Sequence, residues 1–238
     1  MLTTTYMDEL LLTEALAPGP PPLILDTFHA SDGTELSTHT PDTITSPAAG
    51  PWFPLAGQVL KIVSNELQAA EPSFTRNYVS YLIDGGQKNV RQSMRFRFNA
   101  LDTVLQPQPS APGCIGGPNM YGRAEDSGGG DFESNSAYVI CDGFRCWHWQ
   151  LSGGILMGLH SVPLVLVDGQ VFDLVAEWAG EHLTAYVDGV QQLSLDLAHA
   201  TGTGARFYGT TMSRMKADCS TSGPIAQSHL LSFRLDAL

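Results

Sequence analysis

The stretch Pro163–Leu197 decides the fold, and it reads PLVLVDGQVFDLVAEWAGEHLTAYVDGVQQLSLDL. Its apolar runs are separated by the turn-forming pairs Asp168-Gly169, Gly180-Glu181 and Asp188-Gly189. Asp-Gly between such runs is a strong hairpin signal, because the turn requires positive φ angles that glycine and aspartate tolerate. The stretch therefore predicts two linked antiparallel hairpins, which the rest of the chain must cover with further sheet.

Within these runs apolar and polar side chains alternate with a period of two, which is typical of half-buried strands. The apolar face consists of Phe172, Leu174, Ala176 and Trp178 in one run and of Leu183, Ala185 and Val187 in the next. The polar face consists of Asp173, Glu177, His182, Thr184 and Tyr186. We expect the first set to face the core and the second set to face solvent.

Further strands are expected along most of the chain, so the predicted fold class is all-β, with two antiparallel sheets packed as a sandwich. The expected strands are 23–28, 58–64, 77–83, 90–98, 137–141, 145–151, 205–211 and 229–237. Turns are expected where glycine follows Asp32, Asp84, Asp142, Asp168 and Asp188. Trp52 and Phe53 are expected to fill the core.

Length and composition limit the organisation and the function of the chain. A chain of 238 residues can form one large sandwich with a substantial core. Its 24 glycines, 15 prolines and 43% hydrophobic residues are typical of a turn-rich globular protein. A net charge of −12 argues against general binding to nucleic acid or to anionic membranes. No apolar run approaches the roughly 20 residues of a membrane helix.

The beginning of the sequence argues against a secreted protein. Residues 1–60 contain no Lys or Arg, unlike a signal peptide, and the sequence has no Asn-x-Ser/Thr sequon. We therefore expect folding in a cytoplasm. In that compartment the four cysteines, Cys114, Cys141, Cys146 and Cys219, are expected to be reduced.

Residues 1–22 precede the predicted sandwich and are expected to form an N-terminal arm with a Pro-rich spacer, Pro18–Pro22. The segment 1–17 allows a short helix, because Thr5 and Asp8 resemble a capping box. Its apolar side chains are Leu2, Tyr6, Met7, Leu10, Leu11 and Leu12. The arm is either a loose tail, a helix on its own domain, or an anchor that docks on another protein. The stiff spacer favours the anchor.

The strand expected at 90–98 carries Arg91, Arg95 and Arg97 on one face. Three arginines on one face of a basic-poor chain suggest an anion site. The alternative is a solvated strand face with Asp or Glu partners on the neighbouring strand. We prefer the second interpretation.

Residues 104–136 interrupt the strand pattern and are rich in Pro, Gly and Ser. A loop of this length is usually functional or disordered. We expect a surface loop that contacts a neighbouring chain, and we expect deletion of Ser110–Gly130 to leave the domain folded. Its acidic residues are Glu125, Asp126, Asp131 and Glu133. Carboxylates bind calcium, but this spacing matches no calcium loop, so a solvated surface loop is preferred.

Cys141 and Cys146 flank the turn expected at Asp142-Gly143, and they are expected to lie opposite each other. A single Cys-x4-Cys is a weak metal signal, so a reduced apolar pair is the preferred interpretation. Trp147 and Trp149 share one strand face. Stacked tryptophans can form a sugar platform, but aromatic residues two apart on a strand more often lie in the core because they bury much area.

The order of these elements resembles the concanavalin A-like (laminin G-like) jelly-roll sandwich, and the resemblance covers Leu23 to Leu238. It rests on Asp26-Thr27-Phe28 followed by Asp32-Gly33-Thr34-x-Leu36, on Leu183–Val190, on Phe207-Tyr208-Gly209 and on Phe233-Arg234-Leu235. The resemblance implies two antiparallel sheets packed face to face. Members of this family bind sugars, hydrolyse glucans or serve as structural modules, and the fold alone does not select among these functions.

The sequence lacks the motifs that catalysis in this family requires. The glucanase branch carries Glu-x-Asp-x-x-Glu on a strand, because retaining hydrolysis needs two carboxylates about 5–5.5 Å apart. Here Glu177 and Glu181 straddle a predicted turn. The legume-lectin metal motif, a nucleotide-binding glycine loop and Gly-x-Ser-x-Gly are also missing from the sequence. We therefore predict no catalytic residue, no metal and no cofactor.

These features favour a non-enzymatic structural protein of a virion. We expect a bacteriophage capsid decoration or accessory protein that displays a lectin-like sandwich and assembles in the host cytoplasm. A tail or baseplate adhesin and a stand-alone carbohydrate-binding module are the alternatives. The expected partners are other virion proteins, copies of the chain itself and host-surface glycans, without nucleic acid or membrane.

Overall fold

The structure is a computed structural model that describes residues 20–56, 59–69, 78–98, 118–126, 128, 132, 135–141, 145–167, 169–197, 206–213 and 228–238. Within these ranges the chain forms strands and one short 3-10 helix, Leu36–Thr38, but no α-helix. In the same ranges, no helix has the length and apolarity needed to span a membrane.

The strands follow one another in chain order and are numbered accordingly. They are β1 (Ile24–Asp26), β2 (Thr43–Ile44), β3 (Phe53–Ala56), β4 (Leu60–Val63), β5 (Glu66–Ala69), β6 (Tyr78–Asp84), β7 (Val90–Phe98), β8 (Pro118–Ala124), β9 (Ser136–Cys141), β10 (Arg145–Ser152), β11 (Ile155–Pro163), β12 (Val171–Ala179), β13 (His182–Val187), β14 (Val190–Asp196), β15 (Phe207–Ser213) and β16 (Ser228–Ala237).

These strands form two antiparallel sheets that pack face to face. Sheet A has the order β14-β13-β12-β7-β16-β1-β2, with β5 also paired to β16 and β4 paired to β5. Sheet B has the order β11-β10-β9-β8-β15-β6-β3. One hydrophobic core contains side chains of both sheets, such as Trp178 of β12 and Val139 of β9. The predicted two-sheet, all-β sandwich is therefore confirmed.

The two linked hairpins predicted from the sequence are β12–β13–β14 at one side of sheet A. Their turns contain Gly180, Asp188 and Gly189, all at positive φ (57°, 49° and 75°). The side chains expected in the core are buried, with Phe172 1% and Trp178 0% exposed. The alternation of apolar and polar side chains along each strand therefore determines which face of the strand packs against sheet B.

The apolar run at 164–167 does not form a paired strand, which corrects one expectation. Leu166 is buried whereas Val165 is 79% exposed. The segment connects β11 of sheet B to β12 of sheet A, so the turn at Gly169 changes sheet instead of closing a hairpin. The strand before it, Ile155–Pro163, was not predicted, because ILMGLHSVP has no period-two alternation.

The region 104–136 is not one long loop, which corrects a second expectation. It contains β8, which pairs with β9 on one side and with β15 on the other. Met120, Tyr121 and Arg123 of this strand are buried. The strand was missed because Gly122 and Pro118 weaken the strand signal, while two neighbouring strands supply the pairing that stabilises it.

A buried polar bridge joins the two sheets next to β8. Gln92 of β7 is fully buried, and its Nε2 donates hydrogen bonds to the carbonyl oxygens of Tyr121 and Gly209 in sheet B, both at 3.2 Å. Its Oε1 accepts a hydrogen bond from Nε1 of Trp178 at 3.2 Å. Because each of these buried groups has a partner, the bridge aligns the sheets without leaving an unpaired polar atom.

Candidate functional site

Ion pairs connect β7 and β12 on the side of sheet A that faces away from sheet B. Arg91 lies opposite Glu177 in register, and their Nη1 and Oε1 atoms are 3.0 Å apart. Arg95 lies opposite Asp173, with Nε and Oδ1 3.9 Å apart. Cross-strand acidic partners for these arginines are therefore confirmed, as the solvated-face interpretation predicted.

Arg97 belongs to a second group on the same side of the sheet. Its Nη2 lies 3.0 Å from Oε1 of Glu66 on β5, and Oε2 of that carboxylate lies 2.7 Å from Nδ1 of His229 on β16. The Glu66 carboxylate is nearly buried, so it is held by two cationic or hydrogen-bonding partners. All three arginines thus have acidic partners.

Tyr186 extends the Arg91–Glu177 pair onto β13. Its hydroxyl donates a hydrogen bond to Oε2 of Glu177 at 3.3 Å, so one carboxylate accepts from both Arg91 and Tyr186. Burial and the Glu177 carboxylate raise the pKa of the Tyr186 hydroxyl, which keeps it protonated and donating at neutral pH. The result is a fixed cluster of donors and acceptors beside a half-buried aromatic ring.

His182, Ser194 and Asp196 form a hydrogen-bonded row on the adjacent strands β13 and β14. Nδ1 of His182 lies 2.8 Å from Oδ1 of Asp196, and Nε2 lies 3.0 Å from Oγ of Ser194. This order of groups is the one found in Ser-His-Asp hydrolases. Asp196 is 88% exposed, however, whereas the aspartate of such a triad is buried.

An oxyanion hole also requires donors directed at the reacting oxygen, and the N–H groups of a strand lie in the plane of its sheet. We therefore interpret His182, Ser194 and Asp196 as hydrogen-bonding groups of an exposed surface. The sequence placed His182 on the polar face, but its partners on β14 depend on the register of that strand, which periodicity does not supply.

We call the surface formed by these side chains the sheet A outer face. It consists of Arg91, Arg95, Asp173, Glu177, His182, Tyr186, Ser194 and Asp196. Four neighbouring strands, β7, β12, β13 and β14, carry it. It offers carboxylate, guanidinium, imidazole and hydroxyl groups together with one aromatic ring, so it can both donate and accept hydrogen bonds.

Trp147 and Trp149 lie on the side of sheet B that faces away from sheet A. They are only 3% and 2% exposed and belong to a second hydrophobic cluster with Tyr138 and Ile140. This burial agrees with the core interpretation, since a sugar platform requires exposed ring faces. Nε1 of Trp149 has no hydrogen-bond partner in the part of the chain that the structure describes, so a bound acceptor could satisfy it. Sugar binding by the two rings stays a prediction.

The other residues singled out in the sequence are only partly covered by the described ranges. Leu2, Tyr6, Met7, Leu10, Leu11 and Leu12 of the arm lie outside the described residues, as do Cys114, Cys219, Asp131 and Glu133. Cys141 and Cys146 lie directly opposite each other and are both buried. Among the described residues no group of three or more His, Cys, Asp or Glu side chains is arranged to hold a metal ion.

No family model and no curated protein sequence matches the chain. Several solved structures share its architecture. The carbohydrate-binding module CBM66 from Bacillus subtilis has a TM-score of 0.52 and 11% identity, covering 78% of this chain and 95% of that one. An uncharacterized protein from Mycobacterium paratuberculosis has a TM-score of 0.53 and 12% identity, covering 90% of this chain and 99% of that one.

A further similar structure comes from work on endo-acting O-glycanases of the human gut microbiota that initiate mucin breakdown. It has a TM-score of 0.57 and 12% identity, covering 92% of this chain and all of that one (100%). At these identities the similarity concerns the fold alone, which is a sandwich of two antiparallel sheets. The function must be argued from the surface of this chain.

Proposed function

We propose that this chain is a non-catalytic carbohydrate-binding module and that the sheet A outer face binds the sugar. The observation that carries the proposal is the cluster in which Glu177 accepts from both Arg91 and Tyr186. Its hydrogen-bonding groups are fixed in position before a ligand arrives, so binding would order few side chains. The similarity of the fold to a carbohydrate-binding module supports the same function.

The chemistry of the face suits a sugar ring. Carboxylates accept from hydroxyl groups and guanidinium groups donate to them, and charged partners strengthen such hydrogen bonds. The ring of Tyr186 offers an apolar surface for the C–H groups of a pyranose, while its hydroxyl stays hydrogen-bonded. Ser194, hydrogen-bonded to His182 of β13, extends the row of polar groups onto β14.

A glycan array followed by titration calorimetry tests the proposal, with two surface arginines as a matched pair. Arg91 and Arg206 each form a 3.0 Å ion pair, and their side chains are 50% and 45% exposed. We expect Arg91→Ala and Tyr186→Ala to weaken binding of the selected glycan at least about tenfold, a loss of about 1.4 kcal/mol. Arg206→Ala should leave binding unchanged.

Two results would overturn this assignment. One is the failure of the wild-type chain to bind any glycan on the array. The other is binding that survives Arg91→Ala and Tyr186→Ala but is lost in Trp147→Ala or Trp149→Ala, since the sugar would then bind the outer side of sheet B.

A virion role is a second candidate, and the apolar arm with its Pro-rich spacer favours it. The chain enters the sandwich at the end of this spacer, where the Pro22 carbonyl accepts from Oγ1 of Thr45 at 2.7 Å and the Leu23 N–H donates to the Leu235 carbonyl at 2.8 Å. A capsid decoration protein, or a tail or baseplate adhesin, would hold the particle through the arm and display the sugar-binding face outward.

Truncation of residues 1–22 tests the virion role. The truncated protein should stay folded, because the arm precedes β1, and it should still bind glycans, but it should no longer join capsid or tail particles or copies of itself. Normal occupancy on particles after truncation would show that the arm is not the anchor.

A further inference from the structure

A pair of histidines near the β11 edge of sheet B is not part of the sheet A outer face. His148 of β10 and His160 of β11 lie directly opposite each other in register. Their ring centroids are 5.8 Å apart and their planes are inclined by 31°. Both rings lie on the side of sheet B that faces sheet A, since Cys146, two residues before His148, belongs to the core between the sheets.

His148 is a buried residue. It is 1% exposed, and among the described residues neither Nδ1 nor Nε2 has a hydrogen-bond partner. Burial, and secondarily the neighbouring His160, lowers the pKa of His148 to about 4. A buried polar group without a partner is rare and usually indicates a bound water, ion or ligand.

The edge strand β11 passes close to the His148 ring and carries a glycine there, so no side chain of that residue covers the ring. Gly158 of β11 lies beside the His148 ring, and a Cβ at that position would be only 3.3 Å from Cε1 of His148. His160 is exposed on β11, which is the edge strand of sheet B. An ion could therefore reach the pair from solvent at the edge of the sandwich.

We propose that His148 and His160 together bind one divalent transition-metal ion of the zinc, nickel or copper type. Imidazole nitrogens are preferred ligands of these ions, with metal–nitrogen bonds of about 2.0–2.1 Å. Two imidazole rings that share one ion then have centroids within roughly 6.4 Å of each other, and the observed 5.8 Å lies inside that limit. Two protein ligands leave the remaining coordination positions to water or to an oxygen of a bound ligand.

Calorimetric titration of the tag-free full-length chain with Ni²⁺ and, in parallel, Zn²⁺ tests the proposal. Thiolates prefer zinc, and Cys141 and Cys146 lie in the same core, so a zinc signal alone could come from the cysteines. Ni²⁺ is therefore titrated as well. We expect one ion per chain, and a loss of affinity of at least about tenfold in His160→Ala. His160 is exposed, so this variant should fold. His29→Ala, at an exposed histidine that follows β1 and lies outside both proposed sites, is the matched control and should bind as the wild type does.

Several results would overturn the proposal. They are the failure of both ions to bind at millimolar concentration, equal affinity in wild type and His160→Ala, and loss of binding in His29→Ala. His148→Asn keeps a polar group in the buried position. If this variant folds, as judged by an unchanged circular dichroism spectrum, it should also lose the ion, and retention of wild-type affinity would contradict the site.

Discussion

Asp26 is a buried carboxylate that accepts hydrogen bonds from three separate segments. Its Oδ1 accepts from the Phe28 N–H at 2.8 Å and from Nε2 of His39 at 2.9 Å, and its Oδ2 accepts from Nε1 of Trp52 at 2.8 Å. Asp26→Ala would leave these donors unpaired in the interior, so we expect the free energy of unfolding in urea to fall by about 3–5 kcal/mol. Asp42→Ala, at an exposed carboxylate nearby, should lower it by less than about 1 kcal/mol. Equal losses in the two variants would contradict the account.

Gly122 is required because the Trp178 ring lies directly above it. A Cβ at this position would lie 2.3 Å from Cζ2 of that ring, and Gln92 holds the indole in place. We expect Gly122→Ala to lower the free energy of unfolding by about 1–3 kcal/mol, because the ring must shift from its hydrogen bond. Gly50→Ala is the control: nothing lies within 4 Å of a Cβ there, so its stability should stay close to that of the wild type. An unchanged midpoint of urea unfolding for Gly122→Ala would contradict this prediction, because the core would then accommodate the added methyl group.

Among the strands, β8 lies within the region 104–136, which was expected to be a surface loop, and its side chains are part of the buried interior. Because β8 pairs with β9 and β15 in the middle of sheet B, deletion of Ser110–Gly130 should abolish cooperative thermal unfolding, not leave it unchanged. Circular dichroism melting of the deletion variant measures this. Truncation of residues 1–19, which precede the first strand in the sequence, is the control and should keep a cooperative transition. A cooperative melt of the deletion variant at the wild-type midpoint would contradict the role of β8.

The elements that could be predicted are those whose alternation matches their burial. In β12, Phe172 and Trp178 face the core between Asp173 and Glu177, so the sequence alone fixes strand and face. β11 and β8 could not be predicted, because Gly158 and Gly122 break the alternation and pairing with neighbouring strands determines their conformation. The alternation of apolar and polar residues identifies a strand that is buried on one face. It does not identify a strand at the edge of a sheet, or one in which a glycine packs against an aromatic ring.

For the whole molecule, the sandwich fold could be predicted from the sequence, but most of the sheet A outer face could not. The sequence indicated that Arg91 and Arg95 need acidic partners on a neighbouring strand, and the register of β7 with β12 supplies them. The row His182–Ser194–Asp196 depends on the pairing of β13 with β14, which no local pattern encodes. Binding surfaces that span several strands arise from register, so they become visible only once the sheet order is known.

Two-dimensional NMR can test whether the sheet A outer face binds a sugar. The ¹⁵N-labelled chain is titrated with the glycan selected on the array, and the backbone and indole N–H signals are followed. We expect saturable shift changes confined to β12, β13, β14 and the facing part of β7, with the largest at Arg91, Glu177 and Tyr186. The indole N–H signals of Trp147 and Trp149 should stay in place. Changes centred on those two indole signals, or no saturable change at all, would contradict sugar binding at this face.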